Sequence, residues 1–215
     1  MFVEKWMTAN PVTLTPDTTI SSAAIQMGRH QFRHIPVAEP TPTGKKLLGM
    51  VSKYDIARAF PNNFNPFSVE VSNETVSTPV SAIMTRNVVT VTPDCAIEET
   101  ARILRTRRIN ALPVLRQSRL VGIITESDIY DALLSMTGAT SGGSKMVVES
   151  DSVKNSVLFM AQLSQQYHLE IQSLMSFPDH QAKGKVQSVL HFAGRPTTGF
   201  VQEICKLGFR VLSIS

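Results

Sequence analysis

An internal repeat constrains this chain more than any other feature of its sequence. Residues 88–129 read as strand, helix, strand and strand, and residues 12–56 carry nearly the same pattern. The second copy follows the first by 77 residues, from Pro16 to Pro93, and this offset persists to the strand after the helix. Because register is kept through several elements, we infer two copies of one supersecondary unit.

Each copy carries local signals for its elements. Residues 12–15 and 88–92 are rich in β-branched side chains, which predicts a first strand in each copy. Residues 16–19 predict a turn with an N-cap. The helical spacing of four apolar residues then predicts a half-buried helix, and these residues are Ile20, Ala23, Ala24 and Met27.

The two copies differ in length at one place. From Gly49 to Gly122 the offset falls from 77 to 73 residues, so the first copy has four more residues than the second. They fall within residues 39–44, a stretch of Pro, Thr and Gly that predicts a loop.

Composition limits the function classes. The chain has 215 residues, 42% of them hydrophobic, which is enough for one large or two modest cores. Its first residues hold no secretory signal and its apolar runs are too short to span a membrane, so we expect a cytoplasmic protein. The net charge of +4 is spread along the chain without a basic block, which argues against nucleic-acid binding.

Catalytic and metal-binding patterns are missing from the sequence. Cys95 and Cys205 are far apart and show no paired spacing, so neither a disulfide framework nor a zinc site is indicated. The five histidines have no metal-ligand spacing with a carboxylate, and no nucleophile elbow is present. We therefore expect a protein that is not an enzyme and requires no metal.

The end of the third strand of each copy carries the most distinctive chemistry. Ser52 is followed three residues later by Asp55, and Thr125 by Asp128, each Asp lying in the first turn of a predicted helix. Such a carboxylate can accept hydrogen bonds from a vicinal diol, and the helix N-terminus can receive a phosphate. The pair can also be only an N-cap. Its occurrence twice in register favours ligand binding.

A group of arginines ends the first helix of the second copy, namely Arg105, Arg107 and Arg108. Cations at a helix C-terminus are stabilised by the helix dipole. The sequence leaves open whether these residues only complement the dipole or also bind a ligand.

A different pattern follows residue 144. The linker composition of residues 138–144 precedes an order of elements, βαββαβ, that predicts a four-stranded sheet with two helices on one face. The other face would need a partner. The predicted fold class is α/β (α+β), with a repeat at residues 1–68, a repeat at 69–137, a linker at 138–144 and a βαββαβ domain at 145–215.

The two repeats resemble tandem CBS domains, the pair known as a Bateman module. Specific matches are residues 7–8 and 84–85, strand residues 35–37 and 112–114, and the segments 49–55 and 122–128. This resemblance implies two βαββα repeats in a pseudo-twofold pair. Residues 145–215 resemble a ferredoxin-like domain of the ACT type, and the order CBS, CBS, ACT resembles the acetoin utilization protein family.

The CBS resemblance implies two sites for adenosine nucleotides (AMP, ADP or ATP), each combining the Asp of one repeat with the adenine pocket of the other. One site would use Ser52 and Asp55 with Val89, Asn110, Ala111, Leu112 and Pro113. The other would use Thr125 and Asp128 with Val12, Arg33, His34, Ile35 and Pro36. In these sites Asp would bind the ribose, and Arg33 could meet phosphate.

The ACT resemblance lacks one feature. Amino-acid-binding ACT domains usually have a Gly in the first strand-to-helix turn, and residues 151–155 contain none. A dimerising or degenerate ACT domain is therefore expected. We predict a regulatory homodimer that senses nucleotides and acts on an enzyme partner. The alternatives are a scaffold with empty sites, a regulator or enzyme of acetoin or nucleotide metabolism, and a nucleic-acid-binding regulator.

Overall fold

The computed structural model describes residues 1–60, 77–140, 142–180 and 182–215. Within them the chain divides into two compact units, Met1–Tyr130 and Asp131–Ser215. The predicted boundary between the repeats, at residues 68 and 69, lies outside the described residues. None of the described helices is long and apolar enough to cross a lipid bilayer.

Both repeats lie in the first unit apart from the end of α4, and from the first helix onward their elements follow one another in the same order. They are β1 (Thr8–Ala9), α1 (Ile20–His30), β2 (His34–Thr41), β3 (Gly44–Ser52), α2 (Lys53–Ala59), α3 (Ile97–Arg107), β4 (Ala111–Arg116), β5 (Arg119–Thr125) and α4 (Glu126–Met136). A short 3₁₀ turn precedes each repeat, at Val3–Lys5 and Val80–Ala82. β2 pairs with β3, and β4 with β5, as antiparallel hairpins.

The predicted half-buried helix of the first repeat is confirmed as α1. All four residues of its predicted apolar stripe are buried. Its N-cap is Thr19, whose hydroxyl accepts a hydrogen bond from the Ser22 amide at 3.2 Å. Spacing and capping residue together therefore fix both the start and the buried face of this helix.

The predicted first strand of each repeat is wrong in its extent. Only Leu14 and Val91 form a bridge, each parallel to the following hairpin at Val37 or Val114. Leu14 donates to the Pro36 carbonyl and accepts from the Ala38 amide. The next bond of a parallel ladder would need an amide at Pro36 or its equivalent, and proline has none, so the pairing stops.

The predicted loop at residues 39–44 is also wrong in its extent. β2 continues to Thr41 and β3 begins at Gly44, so the extra residues lengthen the hairpin and leave a two-residue turn. Glu39 and Lys46 face each other across it and form an ion pair at 3.1 Å. The prolines in this stretch are compatible with a strand end whose amides need no partner.

The segment before each repeat pairs with the other repeat. Thr8 of β1 pairs with Ile123 of β5, and Thr85 pairs with Met50 of β3. Val80 is fully buried in the core of the first repeat, together with Met84. Each repeat is therefore completed by residues that the sequence places next to the other one.

Two glycines allow this exchange. A Cβ atom on Gly49 would lie 2.6 Å from the backbone oxygen of Thr85, and one on Gly122 would lie 2.5 Å from Met7 Sδ. Both distances are shorter than packed atoms tolerate. A side chain at Gly49 would push the Thr85 backbone away, and one at Gly122 would displace the end of the Met7 side chain.

The second unit has the βαββαβ order predicted from the sequence. Its elements are β6 (Ser144–Ser150), α5 (Val153–Gln166), β7 (Ile171–Pro178), β8 (Val186–Phe192), α6 (Thr198–Lys206) and β9 (Arg210–Ile214). The sheet order is β7-β8-β6-β9, with every neighbouring pair antiparallel. Alternate residues of β6 and β8, including Met146 and Phe192, form a core with Met160 of α5 and Phe200 of α6.

Candidate functional site

The junction between β3 and α2 is built by a reciprocal cap. Ser52 Oγ accepts a hydrogen bond from the Asp55 amide at 3.2 Å, and Asp55 Oδ2 accepts one from the Ser52 amide at 2.8 Å. The Ser52 hydroxyl also donates to Asp55 Oδ2 at 2.6 Å. This is a capping box with Asp at its third helical position.

The junction between β5 and α4 shares the two hydrogen bonds to the carboxylate. Asp128 Oδ2 accepts from the Thr125 amide at 2.7 Å and from the Thr125 hydroxyl at 2.8 Å. Both Asp residues thus act as caps, as the simpler interpretation of the sequence requires. A carboxylate can accept about four hydrogen bonds. The cap is therefore compatible with a further donor, such as a ribose hydroxyl.

Strand register places beside each junction residues that the sequence assigned to the other site. His34 lies opposite Ser52 and Ala111 opposite Thr125, each on the hairpin of its own repeat. The Lys53 amide donates to the Arg33 carbonyl at 2.9 Å, and the Glu126 amide donates to Asn110 at 3.1 Å. The start of the second strand is thereby tied to the start of the following helix in both repeats.

One side-chain contact joins the two repeats at these junctions. Arg33 Nη2 donates to Ser127 Oγ at 3.0 Å, although 94 residues separate them. Ser127 lies between Thr125 and Asp128, so the Arg33 guanidinium is beside the second junction. The structure therefore brings together Arg33, Thr125 and Asp128, which the sequence assigned to one site.

His34 lies in the fields of both junctions. Its pKa is lowered from the ordinary value of 6.5, first by burial and then by the adjacent Arg33 guanidinium. The carboxylates of Asp55 and Glu126 act in the opposite direction. Since these acids belong to different repeats, His34 is electrostatically linked to the second junction, where the sequence placed it, and also to the first.

The remaining predicted residues divide by exposure. Ile35 and Leu112 are fully buried, and the structure places both side chains inside the protein core. Pro36 and Pro113 are buried as well, whereas Val89 is half-buried. Val12 is 41% exposed, and Arg33 and Asn110 are also exposed. Ala111 packs with Met50 of the other repeat. Only the exposed and half-buried members can present side chains to a ligand without rearrangement.

Sequence reasoning missed a cavity beside Asn110. It has a volume of about 420 Å³ and lies between α3 and α4, lined by Ala101, Leu104, Arg105, Arg108, Asn110, Glu126, Ile129 and Tyr130. Arg105 and Arg108 belong to the arginine group whose role the sequence left open. Their spacing at the end of α3 was the sequence feature that could have indicated a binding site. Nothing in the sequence around Glu126 and Tyr130 indicated one.

These features define a class of protein: a tandem α/β pair with an equivalent strand-to-helix junction in each repeat. A family model for the CBS domain matches residues 3–62 and 80–135, which is more than half of the chain. The chain belongs to the CBS-domain family. The tandem CBS pair predicted from the sequence is confirmed.

Known proteins resemble the CBS part. The CBS domain-containing protein YhcV of Bacillus subtilis is 29% identical over 140 residues, covering 65% of this chain and 89% of that protein. An acetoin utilization protein (AcuB) from Vibrio cholerae has a solved structure with a TM-score of 0.53 and 31% identity, covering 65% of this chain and 95% of that one. The CBS pair of MJ0100, solved with 5′-methylthioadenosine and S-adenosylmethionine, gives 0.50 and 28%, covering 62% and 95%.

Proposed function

We propose that this protein is a non-catalytic, cytoplasmic regulator whose CBS pair binds adenosine nucleotides. CBS pairs are regulatory modules that bind adenosine-type ligands, and the related pair of MJ0100 was solved with two of them. The observation that carries the proposal is the contact of Arg33 with Ser127. It supplies a cation from one repeat beside the hydroxyl and carboxylate of the other.

Each proposed site would recognise three parts of a nucleotide. Asp128 would accept hydrogen bonds from the ribose diol, and the start of α4 would favour phosphate. Arg33 would add a forked donor for phosphate oxygens. Asp55 and the start of α2 would do the same in the other site, with Asn110 in the place of Arg33. Adenine would lie against aliphatic residues of the opposite repeat.

Calorimetric titration of the full chain with AMP, ADP and ATP tests the proposal. Asp128→Ala and Asp55→Ala should each weaken or remove one class of site, while the fold persists, because loss of a cap costs about 1 kcal/mol. Asp131→Ala is the matched control, since Asp131 is an exposed acid of the same helix outside the junction. Unchanged nucleotide affinity in folded Asp128→Ala and Asp55→Ala proteins would contradict the ribose assignment.

We further propose that the second unit is an ACT-type domain used for self-association or for a second effector. Its βαββαβ order and its sheet, with both helices packed on one face, support this role. Light scattering should report a homodimer for the full chain and a smaller assembly for a chain that ends at Met136. An unchanged oligomeric state would remove the second unit from dimerisation.

A link to acetoin utilization is a second candidate function. The similarity to AcuB of Vibrio cholerae, at 31% identity, favours it. Deleting the gene in its host should then impair growth on acetoin and leave growth on glucose unchanged. Equal growth on both carbon sources would contradict the link to acetoin utilization and would leave the nucleotide-binding proposal unaffected.

A further inference from the structure

The two edge strands of the second unit's sheet differ in how they are protected from further pairing. β9 has five residues, begins with the exposed Arg210, and shifts its register against β6 between Val147 and Val148. Short length, a charged side chain and an irregular register each discourage the addition of another strand. β7 has eight residues, none of them charged, and its register shift lies at its beginning, between Ile171 and Ser173. The β7 edge is therefore the less protected of the two.

The ladder with β8 shows which backbone groups of β7 point outward. The Asp179 amide donates to the Lys185 carbonyl at 2.9 Å, directly after the last pair of the strand. Because hydrogen-bonded pairs alternate along an antiparallel ladder, Leu174 and Ser176 direct their N–H and C=O groups away from β8. Pro178 is also in an outward position, where its missing N–H costs no bond to β8. Among the residues that the structure describes, none bonds the outward backbone groups of Leu174 and Ser176.

The helix on the β7 side of the sheet is also almost without charge. α5 packs against β7 and β8, whereas α6 packs against β9. Lys154 is the only charged residue in the sequence of α5. Large apolar side chains are exposed along this helix, namely Val153 at 43%, Val157 at 45% and Leu158 at 50%. An exposed helix of a soluble domain ordinarily has charged residues on its outer face. Strand edge and helix thus lack protection on the same side of the unit.

We infer that β7 pairs with β7 of a second copy of the chain, antiparallel and about a twofold axis. The inference rests on the proposed self-association of the second unit, and it names the surface. Met175 lies opposite Met175 of the second copy, next to the axis. In this register Leu174 and Ser176 exchange N–H···O bonds with Ser176 and Leu174 of that copy. The two sheets become one continuous antiparallel sheet.

The occupant is a second copy because this edge is complementary to itself. Leu174 and Ser176 each offer one donor and one acceptor, so the twofold ladder leaves none of these groups unpaired. No charged side chain of β7 meets a like charge across the ladder. The same axis places α5 beside α5 of the second copy on one face of the sheet, where the exposed Val157 and Leu158 are covered.

Pulsed electron paramagnetic resonance on the full chain measures this geometry. Cys95→Ser and Cys205→Ser remove the free cysteines, and one spin label is attached at Gln172→Cys in β7 or at Ser213→Cys in β9, both exposed. The two Gln172 positions should lie about 20 Å apart, because each is three residues from the axis at about 3.4 Å per residue. The two Ser213 positions should lie about 34 Å apart, because seven strand spacings of about 4.8 Å separate the β9 strands.

Two matched pairs of variants complete the test, with circular dichroism to check that each is folded. Phe177→Glu on β7 should remove the short Gln172 distance, whereas Leu212→Glu on β9 should retain it. The replaced side chains are 37% and 40% exposed, so the two changes are comparable. Leu158→Glu on α5 should raise the protein concentration needed for the short distance at least about tenfold, because a carboxylate would be covered without a partner. Leu207→Glu at the end of α6 should not raise it.

Absence of the short Gln172 distance in the full chain would overturn the inference, and so would its persistence in folded Phe177→Glu protein. A short distance between the Ser213 positions would overturn it in favour of the β9 edge. The chain that ends at Met136 separates these failures from that of the proposed function. Self-association through the second unit fails only if this truncation leaves the oligomeric state unchanged.

Discussion

The two repeats of the CBS pair keep the same backbone contacts and differ in the side chains at their junctions. Gly49 and Gly122 both admit a crossing segment, and Asp55 and Asp128 both cap a helix. At equivalent positions before the second strand, however, one repeat has Arg33 and His34 and the other has Asn110 and Ala111. Close approach and capping restrict the residue type severely. The exposed positions of Arg33 and Asn110 have no such restriction.

The largest expected effect tests whether the two crossing points are equivalent. Gly49→Ala would meet the rigid Thr85 carbonyl at 2.6 Å, whereas Gly122→Ala would meet mainly the flexible end of Met7. We expect a loss of about 3 kcal/mol in the free energy of unfolding for Gly49→Ala and about 1 kcal/mol for Gly122→Ala. Urea unfolding followed by Trp6 fluorescence measures both. Equal losses of stability would mean that both crossing segments shift to the same extent.

The next effect separates the two proposed nucleotide sites. Arg33→Ala should weaken ATP about tenfold more than AMP, because a charge-assisted contact to the added phosphates is lost. Asn110→Ala, at the equivalent position, should affect both nucleotides alike. Calorimetry on folded variants measures this, with Arg33→Lys retaining part of the preference. If Arg33→Ala weakens the binding of ATP and of AMP equally, Arg33 interacts only with the C-terminal end of the preceding helix, α1.

A smaller effect concerns the first helix of each repeat. The Thr19 hydroxyl caps α1, whereas Ala96, the N-cap of α3, has no side-chain cap. Thr19→Ala should lower the free energy of unfolding by about 1 kcal/mol, and Ala96→Thr should raise it by about 0.5 kcal/mol. Thermal unfolding of both variants checks the pair. A loss of stability in Ala96→Thr would show that the exchanged segment beside it has no space for the hydroxyl.

The smallest expected effect is a pH dependence of stability that arises from His34 in the first repeat. Burial and Arg33 lower the pKa of His34 below 6.5 in the folded state, so the unfolded chain binds the proton more readily. The contribution to stability is therefore fully present above pH 6.5 and is lost as pH falls toward the folded pKa. Urea unfolding from pH 7.5 to 5 should show this decline in the wild type. His34→Gln should reduce the decline, and an unchanged slope would assign it to other groups.

The repeat, its register and its family were readable from the sequence, because they depend on local spacing. The apolar stripe of α1 and the hydroxyl–Asp pairs occupy one or two helical turns, where neighbours along the chain are also neighbours in space. The same holds for the βαββαβ order of the second unit. The exact membership of the nucleotide sites stays a prediction.

What the sequence by itself determined about this protein is thus the content of each repeat and of the second unit. Only the tertiary structure decided how the repeats complete each other. The crossing of residues 1–9 and 78–85 and the contact of Arg33 with Ser127 both join groups distant in sequence. Such contacts depend on chain topology and on whole surfaces that fit together, and periodicity along one segment carries no record of either.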